Sequence, residues 1–566
     1  MPSVKFFQLS LDSDLAEIME AMKADASLGK VGGFVTVTNN NQVVVGVITY
    51  KEILNAKMKF GISSNFNAGQ IMRRDFIYIL EGTELSQIPE VLQNHFNLRE
   101  IKNTMPITYI PILSSRGELR DIKHLASFVE LISSKVSDTV VIGQGFVGLT
   151  LSLVLAENGK QVFAVEEDLN KVLNIRSLDP GVFEPNLVSI LERKMGKEYQ
   201  IFSSLEHLPP RKNILASRTF IVSVGTPIRD NLINLEPLEK AILSIAQQVE
   251  FGDLVIIRST VPVGTTRDLV ANTILKICGL KAGIDYSLVY GPERTVEGNA
   301  INEIKRLPQL IAGFTESCAS RGVKFFASFV SSCVITESLE ACELAKLASN
   351  AYRDVSFGFA NEIARLAHDY AVDINKLITD ANTGYHRNAI PSPSPGVGGP
   401  CLTKDSYILS KGGPNSVSLA ARLSNETMIT FVANRIAAIS KGKNILVVGV
   451  AFKGDPPTND IRLSTSVDVI KELERRAMHV RVVDGVCSFK ELNSYGLKVF
   501  NNEAQEFCPD TIAILNNYIG NLLLVEKVVN LYSGKEFVVF DPWNIIKSFG
   551  SQKNKVELHS LSKKLS

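Results

Sequence analysis

The sequence predicts an α/β protein: two doubly wound parallel sheets joined by a long-helix middle, preceded by a smaller α+β tandem. Three observations predict it. Short β-branched runs alternate with helical patterns between residues 138 and 330, the mark of βαβ units. From Ser338 to Val372 the spacing turns helical with no strand signal. At Asn444 the strand rhythm resumes. The 566 residues suit three or four domains at roughly 150 residues each. Hydrophobic residues at 45% and charged residues at 21% supply several packed cores and exclude a disordered or fibrous chain.

Residues 1–134 are expected to form the tandem. A helical run, Asp14–Met22, precedes a strand pair around a polar turn, FVTVTNNNQVVVGVIT, and then a helix over Lys51–Ala56. A fainter echo follows in Leu85–Asn94, TYIPILSSRGELRDI and a helix near His124. Two copies of a β-α unit of ~60 residues is the simplest reading. Residues 135–335 carry the strand candidates TVVIGQG, KQVFAVEED, FIVSVGTP, DLVIIRST and YSLVYGPE. Residues 336–437 open on the helical stretch, where Leu339, Cys342, Ala345, Leu347, Ala351, Val355, Phe359 and Ile363 recur as in one long helix or a kinked pair. IPSPSPGVGGP, residues 390–400, cannot be regular structure. Residues 438–550 hold NILVVGVAF, HVRVVDGV, TIAIL and FVVFD, a second α/β domain, and residues 551–566 read as a polar, frayed tail.

Charge and cysteine content narrow the setting. Sixty Lys and Arg against 59 Asp and Glu leave a formal net charge of +1, so nucleic acid is not expected as a partner. Seven scattered cysteines do not make a disulfide scaffold and point to a reducing cytoplasm. The N-terminus reaches acidic residues before any long apolar stretch, so no signal peptide is expected. No run approaches the ~18–20 apolar residues of a membrane span.

The sharpest local signal is VVIGQGFVG, in which Gly143, Gly145 and Gly148 follow a strand and open a helix, with Phe146 and Val147 between them. Glycines give the tight turn and let a pyrophosphate approach, and the helix N-terminus presents its N–H groups to the phosphates. Glu166 ends the next strand, where a carboxylate suits the ribose hydroxyls of NAD and repels the 2′-phosphate of NADP. In GVGGPCLTKD, Cys401 follows a glycine-rich loop that includes Gly398 and starts a helix beside a lysine. That setting lowers a thiol's pKa, so Cys401 is a candidate nucleophile with Gly398 in the substrate's path. Cys278, Cys318 and Cys333, on apolar runs, read as inert core. Lys346 and Asn350 lie four apart on one helical face among small residues. Glu293 and Thr260 each follow a strand end, the ligand-binding edge of an open α/β sheet; Thr260 reads equally as an ordinary turn residue. No metal-binding spacing of His or Cys is present.

Together VIGQGFVG, VSVGTP, STVPVGTT, the P-E-R segment, ELAKLASNAYRDVSFGFANEIA, GVGGPCLTKD and GVAFKGDPPTNDIR, in this order over residues 136–548, resemble the UDP-glucose/GDP-mannose dehydrogenase family. The resemblance implies an NAD-binding Rossmann domain at 135–335, a helical dimerising middle at 336–437 and a Rossmann-like UDP-sugar domain at 438–550. It implies oxidation of a nucleotide sugar's C6 alcohol to the uronate in two steps, with NAD, through a Cys401 thiohemiacetal and thioester. In that chemistry Lys346, Asn350 and Thr260 stabilise oxyanions, while Asp405 and Glu293 handle protons and water. Arg462, Glu297, Thr226 and Lys171 match cofactor contacts, and Lys453 matches a sugar-nucleotide contact. Arg294 and the segment ANTGYHRNAIPSP resemble the branch acting on UDP-N-acetylhexosamines, and Trp543, where glucose-type enzymes often have Arg, disfavours UDP-glucose without separating GlcNAc from ManNAc; UDP-glucose and GDP-mannose are the alternatives. Arg387 matches an arginine that reaches a neighbouring subunit's substrate, as in a homodimer. A single-step hydroxyacid dehydrogenase would not need Cys401. A nucleotide sensor with a decayed dehydrogenase half would not keep the set of Cys401, Lys346, Asn350 and Asp405.

Residues 8–130 resemble a tandem of CBS modules, common adenine-nucleotide sensors. GVITYKEI, with Gly46 and Thr49, approximates the ligand signature, although Glu52 stands where Asp is usual. GELRDIKHLASF lacks both the hydroxyl residue and the acid, so at most one site is complete, and a purely structural role fits equally.

Overall fold

A computed structural model describes residues 8–23, 33–60, 65–84, 87–98, 109–124, 138–211, 216–229, 232–410, 416–501, 507–532, 534–546 and 555–563. In the N-terminal tandem, β1 (Gln8–Ser10) runs parallel to β2 (Phe34–Thr38), which forms a hairpin with β3 (Val44–Thr49). The second copy repeats this with β4 (Ile79–Leu80), β5 (Tyr109–Leu113) and β6 (Leu119–His124). Both hairpins break register at the same place, between Val37 and Thr38 and between Ile112 and Leu113. The turns meet, with Val44 N–H donating to the Gly117 carbonyl at 2.9 Å. Helices α1 (Leu15–Ala21), α2 (Tyr50–Phe60) and α3 (Ile88–Leu98) fall on the expected runs. Asp14 and Glu17 cap α1 reciprocally. Where the sequence predicts a helix near His124, His124 itself ends β6, and residues 125–137 lie outside the described residues.

The next sheet is covered on both faces, which is why its strands are almost continuously apolar. It comprises β7 (Asp138–Ile142), β8 (Val162–Val165), β9 (Tyr199–Phe202) and β10 (Arg218–Val222), then β13 (Leu254–Ile257), β14 (Ser287–Tyr290), β15 (Gln309–Gly313) and β16 (Cys333–Ile335). A small hairpin, β11 (Ile228–Arg229) and β12 (Leu232–Ile233), lies between β10 and β13. The eight strands are ordered β16-β15-β14-β13-β10-β7-β8-β9. All pairs are parallel except β14 with β15, a local departure from the parallel reading. Val141, Ala164 and Ile221 enter one core and Val140, Phe163 and Phe220 the other. β7 has β8 on one side and β10 on the other. That reversal opens a crevice at their C-terminal ends.

The apolar stretch after Ser338 is one 31-residue helix, α5 (Leu339–Asp369). The Ser338 hydroxyl caps it at Ala341 N–H. After the irregular proline–glycine segment come α6 (Leu402–Ser410) and α7 (Val417–Ile439). α7 lies so close on α5 that a Cβ at Gly358 would sit 2.9 Å from the Ala421 carbonyl. Among the described residues no helix is long and apolar enough to cross a membrane.

The last sheet is wholly parallel, ordered β18-β17-β19-β20-β21, from β17 (Asn444–Val448), β18 (His479–Val483), β19 (Thr511–Ile514), β20 (Phe537–Phe540) and β21 (Val556–His559). Strand β21 corrects the expectation of a frayed tail. It pairs with β20 from Phe537–Val556 to Phe540–His559, and its alternation brings Val556 and Leu558 into the apolar core. Leu561 is fully buried against α5 and α7 residues, and Ile374 N–H donates to the Ser562 hydroxyl at 3.1 Å. Leu561→Ala should therefore cost about 2–4 kcal/mol. The fluorescence of Trp543, the chain's single tryptophan, followed in urea, reads that domain directly; a loss below about 0.5 kcal/mol would contradict the packed tail.

Candidate active site

At the crevice, β7 runs into Gly143, whose φ of +87° strains any L side chain. A Cβ on Gly148 would lie 1.8 Å from the Gly143 carbonyl, so helix and turn meet only because that residue is glycine. Helix α4 (Phe146–Glu157) begins here, and its N-cap, Gly145, offers no capping side chain. Its first N–H groups are left for a ligand. At the end of β8, Glu166 accepts from Gln144 N–H at 2.9 Å and pairs with Lys171 Nζ at 3.0 Å. The carboxylate keeps capacity for further donors. Across the cleft, a Cβ on Gly225 would meet nothing within 4 Å. These groups fit NAD: an uncapped helix end for its pyrophosphate, open space opposite and an acid for its ribose.

The cleft, of about 530 Å³, continues to Cys401, the residue before α6. It brings together Gly143, Gly145, Phe146, Val147, Glu166, Lys171, Thr226, Thr260, Glu293, Glu297, Lys346, Cys401 and Arg462. Asn350 and Asp405 stand directly behind. Asn350 Nδ2 donates to Asp405 Oδ2 at 2.6 Å, while Asp405 Oδ1 is buried without a hydrogen bond. Burial pushes the Asp405 carboxyl above its ordinary range, against Lys404, Lys346 and Asn350. Glu293 is also buried, but Arg258 Nη2 lies 2.5 Å from its Oε2 and Thr295 N–H donates to Oε1. Burial opposes ionisation there; Arg258, Thr295 and Lys346 outweigh it and hold the carboxyl below its usual range.

Two further residues complete the site: Arg258, which the sequence reading passed over, and Lys404, which it read only as a charge near the thiol. Arg258 also donates to the Gly291 carbonyl and to Gln309; its signal was a charge closing the apolar run of β13. Lys404, inside the Cys401 motif itself, donates to Thr226 Oγ1 at 2.8 Å, and Thr226 Oγ1 donates to the Thr260 carbonyl at 2.7 Å. This chain of bonds ties α6 to the loops after β10 and β13.

Four predicted substrate residues do not line the cleft. Lys453 lies in a seam between the two α/β domains, donating to the carbonyls of Glu297 and Pro456. Burial lowers its ammonium to about 8 and raises Glu297, which also faces Asp460, to about 7. Arg462 pairs with Asp460 at 2.5 Å in the same seam. Arg294 turns to the Pro308 carbonyl. Arg387 is exposed, 5.5 Å over the Tyr385 ring. Gly398 packs on the backbone of Leu463. Trp543 packs into the last sheet's core.

The expected lowering of the Cys401 pKa is not found. Its side chain has accessible surface but sits deep among protein atoms, and this desolvation raises the thiol. Lys346 and Lys404 pull it down, while Asp405 and Glu297 push it up. Alkylation of Cys401 by iodoacetamide, followed on its peptide by mass spectrometry, should thus rise only above the ~8.5 of an ordinary thiol. Lys346→Met should move the profile to still higher pH. A midpoint at or below about pH 7 would contradict the assignment.

The NAD binding, central and UDP binding domains of the UDP-glucose/GDP-mannose dehydrogenase family match residues 137–330, 340–445 and 446–548. A CBS domain matches residues 2–59, within the first half of the tandem. The UDP-N-acetyl-D-mannosamine dehydrogenase of Pyrococcus horikoshii is 32% identical over 353 residues, 61% of this chain and 82% of that protein. The NDP-N-acetyl-D-galactosaminuronic acid dehydrogenase of Ralstonia solanacearum is 27% identical over 389 residues, 66% of this chain and 89% of that one. The solved UDP-D-ManNAc dehydrogenase of Pyrococcus horikoshii has a TM-score of 0.62 at 28% identity, covering 75% of this chain and 99% of that chain. With its nucleotide cleft and all three domains matched in order, the chain belongs to the UDP-glucose/GDP-mannose dehydrogenase family and is an NAD-dependent nucleotide-sugar dehydrogenase with an N-terminal CBS domain.

Proposed function

We propose that the protein oxidises the C6 alcohol of a UDP-N-acetylhexosamine to the uronate in two steps through Cys401. The observation that carries this is one cleft lined by both the glycine turn and Cys401 with Lys346, backed by Asn350 and Asp405. NAD, when bound, accepts the hydride of each oxidation. Lys346 stabilises the alkoxide as the alcohol is oxidised, with Asn350 and the Thr260 loop supporting it. Cys401 Sγ then bonds to the aldehyde carbon, giving a thiohemiacetal whose oxidation leaves a thioester. Water cleaves the thioester, releasing the uronate and restoring the thiol. Asp405, raised by burial and with one oxygen free of hydrogen bonds, receives and returns protons. Glu293, kept ionised by Arg258, orients water rather than taking up protons.

The N-acetylhexosamine preference is supported by relatives that act on N-acetylated sugars and by the resemblance carried by Arg294 and the segment ANTGYHRNAIPSP, although neither Arg294 nor Trp543 lines the cleft; UDP-glucose and GDP-mannose are the alternatives. Arg387, outside its own chain's cleft, would serve a partner subunit in a homodimer. Tyr352, Phe359 and Leu366, exposed at seven-residue spacing on α5, offer the surface for it. NADH release from UDP-GlcNAc, UDP-ManNAc, UDP-glucose and GDP-mannose tests the reading: an N-acetylated sugar should yield about two NADH per molecule and the others at least about tenfold lower kcat/KM. Cys401→Ser should stall before the acid. Equal use of UDP-glucose would overturn the substrate assignment, and full uronate production by Cys401→Ser would overturn the thioester.

In the N-terminal tandem we infer one adenine-nucleotide site, at Thr49. Thr49 N–H and hydroxyl both donate to Glu52, which lies 3.9 Å from Arg73. Calorimetry with AMP and ATP, beside sedimentation of the same sample, should give one site per chain and an even number of chains. No heat with either nucleotide would leave the tandem a scaffold.

A further inference from the structure

Behind the cleft lies a buried polar network that the proposed chemistry does not use. On α5, Asp354 follows Lys346 and Asn350 at successive four-residue steps, so the three share one face, and Asp354 is fully buried. Ser406, the residue after Asp405, donates to Asp354 Oδ2 at 2.8 Å. Arg422 of α7, also buried, donates through Nη1 to Asp354 Oδ1 at 3.0 Å and through Nη2 to the Val397 carbonyl at 2.9 Å. Asn425 Nδ2 donates to Asp354 Oδ1 at 2.8 Å and its Oδ1 accepts from Asn361 Nδ2 at 2.9 Å. Asn361 Oδ1 in turn accepts from Ser394 N–H at 2.8 Å.

The network therefore grips the chain on both sides of Cys401: at Ser394 and Val397 in the irregular loop before it, and at Ser406 in the helix after it. That loop has no secondary structure of its own to hold its shape. A glycine-rich segment left unsupported would spread over many conformations. The two nitrogens of the Arg422 fork bind an acid on one helix and a loop carbonyl together, which a lysine's single ammonium does not reproduce. A buried ion pair is frequently replaceable by apolar residues with no loss of stability, so fold maintenance alone does not require these charges.

We propose that Asp354 and Arg422 are positioning residues that set the place of Cys401 relative to Lys346 and Asn350. The proposal rests on Cys401 being the nucleophile, and its test separates the two. Asp354→Leu with Arg422→Met removes the ion pair and its holds on Val397 and Ser406 without stranding a buried charge, leaving the Asn361–Ser394 link, and Ser406→Ala loosens the network by one hydroxyl. Three readouts are taken: thermal melting, NADH binding by fluorescence, and the rates of Cys401 alkylation and of acid release against aldehyde formation. The double variant should melt and bind NADH like the unmodified protein. Its Cys401 alkylation profile should be altered, and acid release should fall by on the order of 10²-fold, more than aldehyde formation. Ser406→Ala should fall in the same direction by less, and it decides the question where the double variant does not fold. A folded variant with unchanged alkylation and an unchanged ratio of acid to aldehyde overturns the positioning role. Full acid release by Cys401→Ser overturns the nucleophile reading instead, and the alkylation rates still report on the network.

Discussion

The site depends on a long helix that buries a polar face. Glu343, Lys346, Asn350 and Asp354 recur along α5 at steps of three and four, and all are buried. Buried polar groups need partners, so each rung recruits a different part of the chain. Glu343 accepts from Gly264 N–H, Thr266 N–H and the Thr266 hydroxyl, fixing the loop beyond Thr260. Lys346 enters the cleft. Asn350 and Asp354 hold the adjacent residues Asp405 and Ser406. One helix thus indexes the nucleotide-side loop, the thiol and its helix against a common axis, with a rise of about 1.5 Å per residue between rungs.

Much of this was legible before any coordinates. The glycine turn with Glu166, and the helix that begins near Ser338, were readable because their signals are local: a strand–turn–helix junction and a helical period. What escaped detection is long-range. Arg258 meets Glu293 across 35 residues of sequence, and Arg422 meets Asp354 across 68; neither pairing leaves a local pattern. β9 and β15 are no shorter than their neighbours, but β15 joins β14 antiparallel, against the rhythm around it. The tail has polar residues on one side of β21 and apolar ones on the other, which in isolation resembles an unstructured end. The sign of the Cys401 shift was misread because a helix start and a nearby lysine are visible in sequence, while burial is not.

Burial alone does not set the acids of the cleft; their partners do. Glu293 and Asp405 are both nearly inaccessible. Glu293 has a guanidinium at 2.5 Å and is held ionised. Asp405 has a neutral amide at its one paired oxygen and is raised. On the proposed mechanism, the carboxyl in the cleft and the one behind it would take separate tasks, one to hold a charge and one to exchange a proton. Glu297, raised to about 7 in the seam with Lys453 and Arg462, belongs to neither group and couples the nucleotide-side loop to the last domain.

A thiol raised rather than lowered also changes how nucleophilic attack must work on this reading. A free thiolate beside Asp405 would place two anions in a desolvated pocket against Lys346, which burial makes expensive. With the thiol neutral, Lys346 balances the Asp405 carboxylate. If the proton moves from Cys401 toward Asp405 as sulfur bonds to carbon, the pocket's total charge is unchanged, with Glu293 still paired to Arg258. The anion then passes from carboxylate to sulfur to the new oxyanion without a second buried charge appearing. A fixed cation near all three positions stabilises that migration best when the thiol is held at one place, which is the task the network behind the loop performs.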